Sequence, residues 1–283
     1  MISRADLHVH STASDGRLTP TEVVRLAAAR GVRLLALTDH DTTAGCAEAL
    51  RQAKASGIRA LAGVEINTDS ELGEAHLLGY FADPDHSDLQ AALIKIQTGR
   101  MNRARTIVEK LNKLGVAITI EQVQAQANHT VIGRPHIARA LAAGGWAGSQ
   151  SAAFELYIGH GRPAYVPRYA LSPQEAIIII RNAGGVASLA HPVRSGSERH
   201  VPKLVELGLN ALEAYYFDHM LDDTARLREL ANRYGLLVTG GSDFHDPPKG
   251  RSDDRRGLGS VWVPEEDGER LWEALRGSTD LAD

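Results

Sequence analysis

The chain holds a single cysteine, Cys46, so no disulfide can form within it and a thiolate-rich metal site is excluded. Cys46 lies in a stretch that reads as helix, with no motif around it. No apolar run approaches the ~20 residues that a membrane span needs. The first strand-like run begins too close to Met1 for a cleavable signal, which leads us to expect a soluble, cytoplasmic protein. Dense tracts of lysine and arginine are also missing, and the net charge is −4, so a long electrostatic track for duplex nucleic acid is not supported. Small anions and short oligonucleotides fit that balance. There is no Gly-x-Ser-x-Gly elbow, P-loop or dinucleotide fingerprint. Catalysis by a side-chain nucleophile is therefore disfavoured, and a nucleotide would enter as substrate rather than cofactor.

What the chain does have is histidine in an unusual arrangement. Of twelve histidines, six fall with three carboxylates into short islands at the ends of strand-like apolar runs. The first island is Asp6-Leu7-His8-Val9-His10, with Asp15 just beyond; on a strand, residues i and i+2 share a face, so His8 and His10 can serve one ion. The second ends in Thr38-Asp39-His40-Asp41, the third is Gly63-Val64-Glu65, and the fourth carries His76 between Ala75 and Leu77. Ala190-His191-Pro192 and Gly241-Ser242-Asp243-Phe244-His245 are the fifth and sixth. Asp6, Asp39 and Asp41 read either as carboxylates that orient an imidazole or as turn-formers.

At 283 residues and 43% hydrophobic, the chain can bury one large core. Ligands delivered at strand ends suit a β/α barrel, whose chemistry gathers at the carboxyl ends of its strands. Helix punctuation supports this: Thr19-Pro20 with Glu22, and Ser172-Pro173 with Glu175, each spell a capping box with proline at the first helical position. A helix is expected over Thr43 to Ser56, ending at Gly57, and later helices over Val201 to Leu207, Thr224 to Tyr234 and Glu269 to Leu275. Strands are expected at Ala211 to Ala214, Leu236 to Thr239 and Val261 to Val263. Between Tyr80 and Tyr169 the pattern turns helical, over Leu89 to Leu114, Ile120 to Asn128, Pro135 to Ala143 and Ser151 to Ile158. The expected organisation is a barrel over 1–80 and 170–283, with an inserted helical subdomain over 81–169 that caps the active site.

Several basic side chains could meet phosphate. Arg134 stands at a helix start, where the helix amino-terminus also favours an anion, with His136 beside it. Arg194 follows His191 by three residues, and His219 lies at another strand end, where it either protonates a leaving oxygen or lines the pocket. Arg100, Arg103 and Arg105, on a helix, and Arg251, Arg255 and Arg256, in a polar loop, read as solvated charges.

The islands, in this order, resemble the PHP (polymerase and histidinol phosphatase) superfamily, and the segment Gly133-Arg134-Pro135-His136 through Leu141 resembles its stand-alone phosphoesterases. The resemblance implies a distorted (β/α)7-type barrel. It also implies one ion on His8, His10, Glu65 and Asp243, a second on the bridging Glu65 with His76 and His191, and a third on Asp15, His40 and His245. Imidazole and carboxylate ligands suit Mn, Fe or Zn. The expected chemistry is attack on a phosphoester by a hydroxide activated on two or three such ions and held by Glu65, Asp243 and His191. By resemblance, the substrate is a nucleoside 3′,5′-bisphosphate that loses its 3′-phosphate, or a short 5′-phosphorylated RNA. A histidinol-phosphatase-like or other phosphomonoesterase, an amidohydrolase-type C–N hydrolase, and a non-catalytic metal-binding module are the alternatives.

Overall fold

The structure, a computed structural model, describes residues 5–70, 73–81, 83–127, 131–167, 169–247 and 257–277. The loop with Arg251, Arg255 and Arg256 lies outside them, as does Asn128. The chain divides into two compact units, Met1–Ala92 with Leu171–Asp283, and Leu93–Ala170.

The first unit is built on a seven-stranded sheet whose strands follow chain order: β1 (Ala5–Val9), β2 (Leu34–Leu37), β3 (Arg59–Ser70), β4 (Gly73–Phe81), β5 (Val186–Leu189), β6 (Ala211–Tyr216) and β7 (Leu237–Gly241). Pairing is parallel except at β4, which runs antiparallel to both β3 and β5. The sheet nearly closes into a barrel. Phe244, just past β7, bridges Val9 in parallel, and His10 N–H donates to Phe244 O at 2.9 Å. Residues of the short parallel strands are almost all buried, as expected where helices cover one face and strand side chains fill the other. Val23, Val24 and Ala27 of α1 (Pro20–Ala29) and Ala49 and Ala53 of α2 (Cys46–Ser56) pack on Val9, Leu35, Leu37 and Phe244.

Both expected capping boxes form. Thr19 accepts from Glu22 N–H while Glu22 accepts from Thr19 N–H, and Ser172 and Glu175 do the same at α7 (Pro173–Asn182). The remaining helices of this unit are α8 (Pro192–Ser195), α9 (Val201–Glu206), α10 (Leu221–Tyr234) and α11 (Glu265–Arg276). Some expectations are corrected. Helices α10 and α11 begin earlier than expected, at Leu221 and Glu265 rather than Thr224 and Glu269. Helix α2 starts at Cys46 rather than Thr43, because the preceding residues close a turn: Cys46 N–H donates to Thr43 O and Ala44 N–H to Thr42 Oγ1. Val261 to Val263 form no strand.

The second unit is helical. It takes most of α3 (Ser87–Lys113), then α4 (Ile120–Gln126), α5 (Arg134–Ala143) and α6 (Gln150–Ala153), which continues as a π-turn over Phe154–Ile158. Ile107, Leu111, Val123, Ile137, Leu141 and Ile158 form its core. Among the described residues, no helix is long and apolar enough to cross a membrane.

Candidate metal centre

Glu65 is the hub of the site. It lies near the middle of β3, is 1% exposed, and meets five imidazoles. Its Oε2 is 3.3 Å from His8 Nε2, 3.2 Å from His10 Nε2 and 3.1 Å from His40 Nδ1. Its Oε1 is 2.7 Å from His76 Nδ1 and 3.2 Å from His191 Nε2. Asp243 stands opposite, with Oδ1 3.4 Å from His8 Nε2, 3.2 Å from His10 Nε2 and 3.5 Å from His245 Nδ1. Asp15 reaches His245 Nε2 at 3.3 Å and His40 Nε2 at 4.0 Å.

The fold explains this convergence. His8 and His10 share a face of β1 and its extension, and His40 follows β2 in a bridge with Glu65. His191 follows β5, and Asp243 and His245 follow β7. The expectation that each ligand island ends its strand fails at β3 and β4. β3 runs on past Glu65, and His76 belongs to the first half of β4, where it pairs with Asn67. Because β4 is reversed, its early residues reach the pole that the parallel strands reach with their ends.

All nine side chains fall into three groups: His8, His10, Glu65 and Asp243; Glu65, His76 and His191; and His10, Asp15, His40 and His245. Within each, the ligating atoms lie within 4.8 Å of one another. For metal bonds of about 2.1 Å, neighbouring ligands of one ion sit roughly 3 to 3.5 Å apart, which most of these separations match. The ring of His10 is wholly buried, yet neither nitrogen has a hydrogen-bond partner among the described residues. A buried imidazole facing two carboxylates without a hydrogen bond is the pattern a cation would complete. The backbone is strained here as well: His191 has φ 28° and Asp243 φ 50°, unusual for residues with a Cβ.

Electrostatics favour the same reading. Burial works to raise the carboxyls of Glu65, Asp243 and Asp15, but the surrounding imidazoles outweigh it and hold all three well below the usual range. Burial opposes charge on His76 and His245 too, but Glu65 lifts His76 to about 9, and Asp15 with Asp243 lifts His245 to about 10. At His40 burial wins, and the imidazole falls to about 4. Ionised carboxylates in such a place need positive charge beside them, which protonated imidazoles supply here and a divalent ion would supply when bound.

Asp6, Asp39 and Asp41 brace loops. Asp39 accepts from Ser11 N–H, Ser11 Oγ and Ser14 Oγ; Asp6 accepts from Ser242 N–H, Ser242 Oγ and Gly259 N–H. Asp41 accepts from Asn67 N–H at 3.2 Å. Two other carboxylates meet ligand imidazoles on the nitrogen turned away from Glu65: exposed Glu74 at His76 Nε2, 3.2 Å, and buried Glu213 of β6 at His8 Nδ1, 3.0 Å. Sequence reasoning missed Glu213; a charged residue inside the apolar run Ala211 to Ala214 was the available signal. Tyr216 was also missed: its hydroxyl donates to Asp243 Oδ2 at 2.7 Å.

Among the residues expected to meet phosphate, Arg134 opens α5, with its guanidinium 5.7 Å from the Phe154 ring centre. It lines a pocket of the helical unit with Arg100, Arg103, Gly133 and Ile137. Arg100 and Arg103 are thus half-buried rather than solvated, and Arg103 Nε donates to Val166 O at 2.8 Å; Arg105 is exposed. His136 is buried, and its Nδ1 accepts from Gly133 N–H at 2.9 Å, capping its own helix. In the barrel unit, Arg194 is half-exposed, 3.6 Å from Asp218 Oδ2. His219 Nδ1 meets Ala214 O at 3.0 Å, leaving its buried Nε2 without a partner among the described residues.

Comparison with known proteins agrees with this architecture. A 3′,5′-nucleoside bisphosphate phosphatase of Chromobacterium violaceum is 38% identical over 258 residues, 89% of this chain and 90% of the relative. The 5′-3′ exoribonuclease Rnm of Escherichia coli (strain K12) is 35% identical over 288 residues, 97% of this chain and 96% of the relative. A solved structure from Bifidobacterium adolescentis, described as that of a metal-dependent phosphoesterase, matches with a TM-score of 0.84 at 33% identity and covers 96% of both chains. The PHP domain model matches residues 6–131. On sequence, fold and the extent of these matches, the chain belongs to the PHP-domain family.

Proposed function

We propose that the protein is a metal-dependent phosphoesterase that removes the 3′-phosphate of nucleoside 3′,5′-bisphosphates, giving the nucleoside 5′-monophosphate and phosphate, and that trims short 5′-phosphorylated RNA from its 5′ end. The observation that carries the metal-dependent chemistry is the convergence of five imidazoles on the buried carboxylate of Glu65. The choice of substrate rests on the relatives named bisphosphate phosphatase and exoribonuclease.

His8, His10, Glu65 and Asp243 would hold one divalent ion, Glu65, His76 and His191 a second, and Asp15, His40 and His245 a third, with His10 beside them. The all-imidazole and carboxylate donor set suits Mn, Fe or Zn. Such ions supply two things when bound: water activated at neutral pH, and positive charge against the phosphoryl oxygens. The chain's own residues do the rest. Tyr216 O–H engages Asp243 Oδ2, which leaves Oδ1 turned toward His8 and His10. By holding the ions, Glu65, His191 and Asp243 would fix where the activated water sits. Arg134 recognises phosphate oxygens, with Arg100 and Arg103 lining the same pocket. His219, its Nδ1 occupied by Ala214 O, offers Nε2 to a substrate oxygen, and Arg194 adds positive charge on the same side of the barrel unit.

The test is phosphate release by Mn²⁺-loaded protein from adenosine 3′,5′-bisphosphate, adenosine 3′-monophosphate, adenosine 5′-monophosphate and histidinol phosphate, with product identification. Release of adenosine 5′-monophosphate with strong preference for the bisphosphate is expected. Equal rates on all four would overturn the nucleotide reading, and absence of turnover would overturn the enzyme.

A further inference from the structure

Glu213 is the one acid on β6, and it is completely buried. An ionised carboxylate in such a place is costly unless each oxygen is met. Here each oxygen is met by a different part of the site. Oε1 lies 3.0 Å from His8 Nδ1, and Oε2 accepts from the backbone N–H of His191 at 2.6 Å.

The first contact decides which nitrogen of His8 carries the proton. A carboxylate facing Nδ1 keeps the proton there, so that Nε2 turns its lone pair toward the oxygens of Glu65 and Asp243, 3.3 and 3.4 Å away. The second contact acts on backbone. His191 has φ 28° and ψ 57°, although it precedes Pro192, a setting that favours extended conformations. The bond to Glu213 helps to hold this strained turn, and the turn brings His191 Nε2 within 3.2 Å of Glu65 Oε1.

His8 and His191 belong to different groups, the first with His10 and Asp243, the second with His76. We infer that Glu213 is a positioning residue shared by two ion sites: one carboxylate sets the tautomer of His8 and the backbone turn of His191, and so readies a ligand for each ion at once. This rests on the proposed metal centre.

Glutamine at this position separates positioning from packing. Its shape is that of glutamate, but it has one accepting oxygen where glutamate has two. Either His8 Nδ1–H or His191 N–H then faces an amide NH2. The experiment titrates metal-stripped wild type, Glu213→Gln and Glu213→Asp with Mn²⁺ or Zn²⁺ against a chromophoric chelator, and records the thermal midpoint of each stripped protein. Asp267→Asn is the control: Asp267 is buried, accepts from Tyr215 O–H at 2.8 Å, and belongs to none of the three groups. Glu213→Gln is expected to weaken binding by about 10- to 100-fold, with two ions affected together, while Asp267→Asn binds like wild type even if it melts earlier. Metal affinity within two-fold of wild type in folded Glu213→Gln would overturn the inference. If Glu213→Gln does not fold, Glu213→Asp is judged by the same two-fold criterion. A wild type that takes up no metal would instead overturn the centre itself, and this inference with it.

Discussion

Asp243 shows how fully single residues are committed here. One carboxylate oxygen faces His8, His10 and His245, and the other accepts from Tyr216. Asp243→Asn preserves the shape but removes the charge, so turnover is expected to vanish while the metal-stripped protein changes in stability by only about 1 kcal/mol, measured by steady-state phosphate release and thermal melting of the stripped proteins. Near-full activity would take Asp243 out of the centre. Arg134→Ala is expected to raise KM for phosphorylated substrates by at least ten-fold with kcat nearly unchanged, because the group lost binds ground state and transition state alike; an unchanged KM would place Arg134 outside substrate recognition. Cys46 is buried, which pushes its thiol up to about 12, so iodoacetamide at pH 8 should label it only after unfolding, as mass spectrometry can check. The ligand islands were legible because His, Asp and Glu at the ends of apolar runs are unusual residues in unusual places. Glu213 and Tyr216 escaped because their meaning lies in proximity across the sheet, with His8 and Glu213 205 residues apart. Arg100 and Arg103 were misread for a related reason: a polar helix face looks the same in sequence whether it meets water or another helix.

At the scale of elements, the capping boxes of α1 and α7 could be read from four-residue patterns because the interactions that form them are local. The direction of β4 could not be read from its apolar pattern, which is the same in either sense. The connection held the clue. β3 ends at Ser70 and β4 begins at Gly73, far too close for the dozen or more residues of a parallel crossover. The meeting of β7 and β1 depends on a missing side chain: a Cβ on Gly241 would strike the backbone nitrogen and Cβ of His8. Gly241→Ala is therefore expected to cost about 1 to 3 kcal/mol by overpacking and to lower metal affinity by moving His8, read by denaturant titration and metal binding. Wild-type stability and affinity together would show that the two strands can part without harm.

For the whole molecule, ions that bind only the folded chain add to its stability in proportion to the logarithm of their concentration over Kd. Chelation should therefore abolish turnover and lower the thermal midpoint together, and Mn²⁺ should restore both; activity that survives exhaustive chelation would remove the ions from the reaction. The site draws on ligands from His8 to His245, so it exists only when the first and last strands have come together. This gives the centre a place in time. On a ribosome adding ~5 to 20 residues per second, His8 and His10 would emerge roughly 10 to 50 s before Asp243 and His245 are even made. The early pair has no Asp243 or His245 to complete it during that interval. The choice of ion thus falls to the finished barrel rather than to whichever metal first meets the nascent chain.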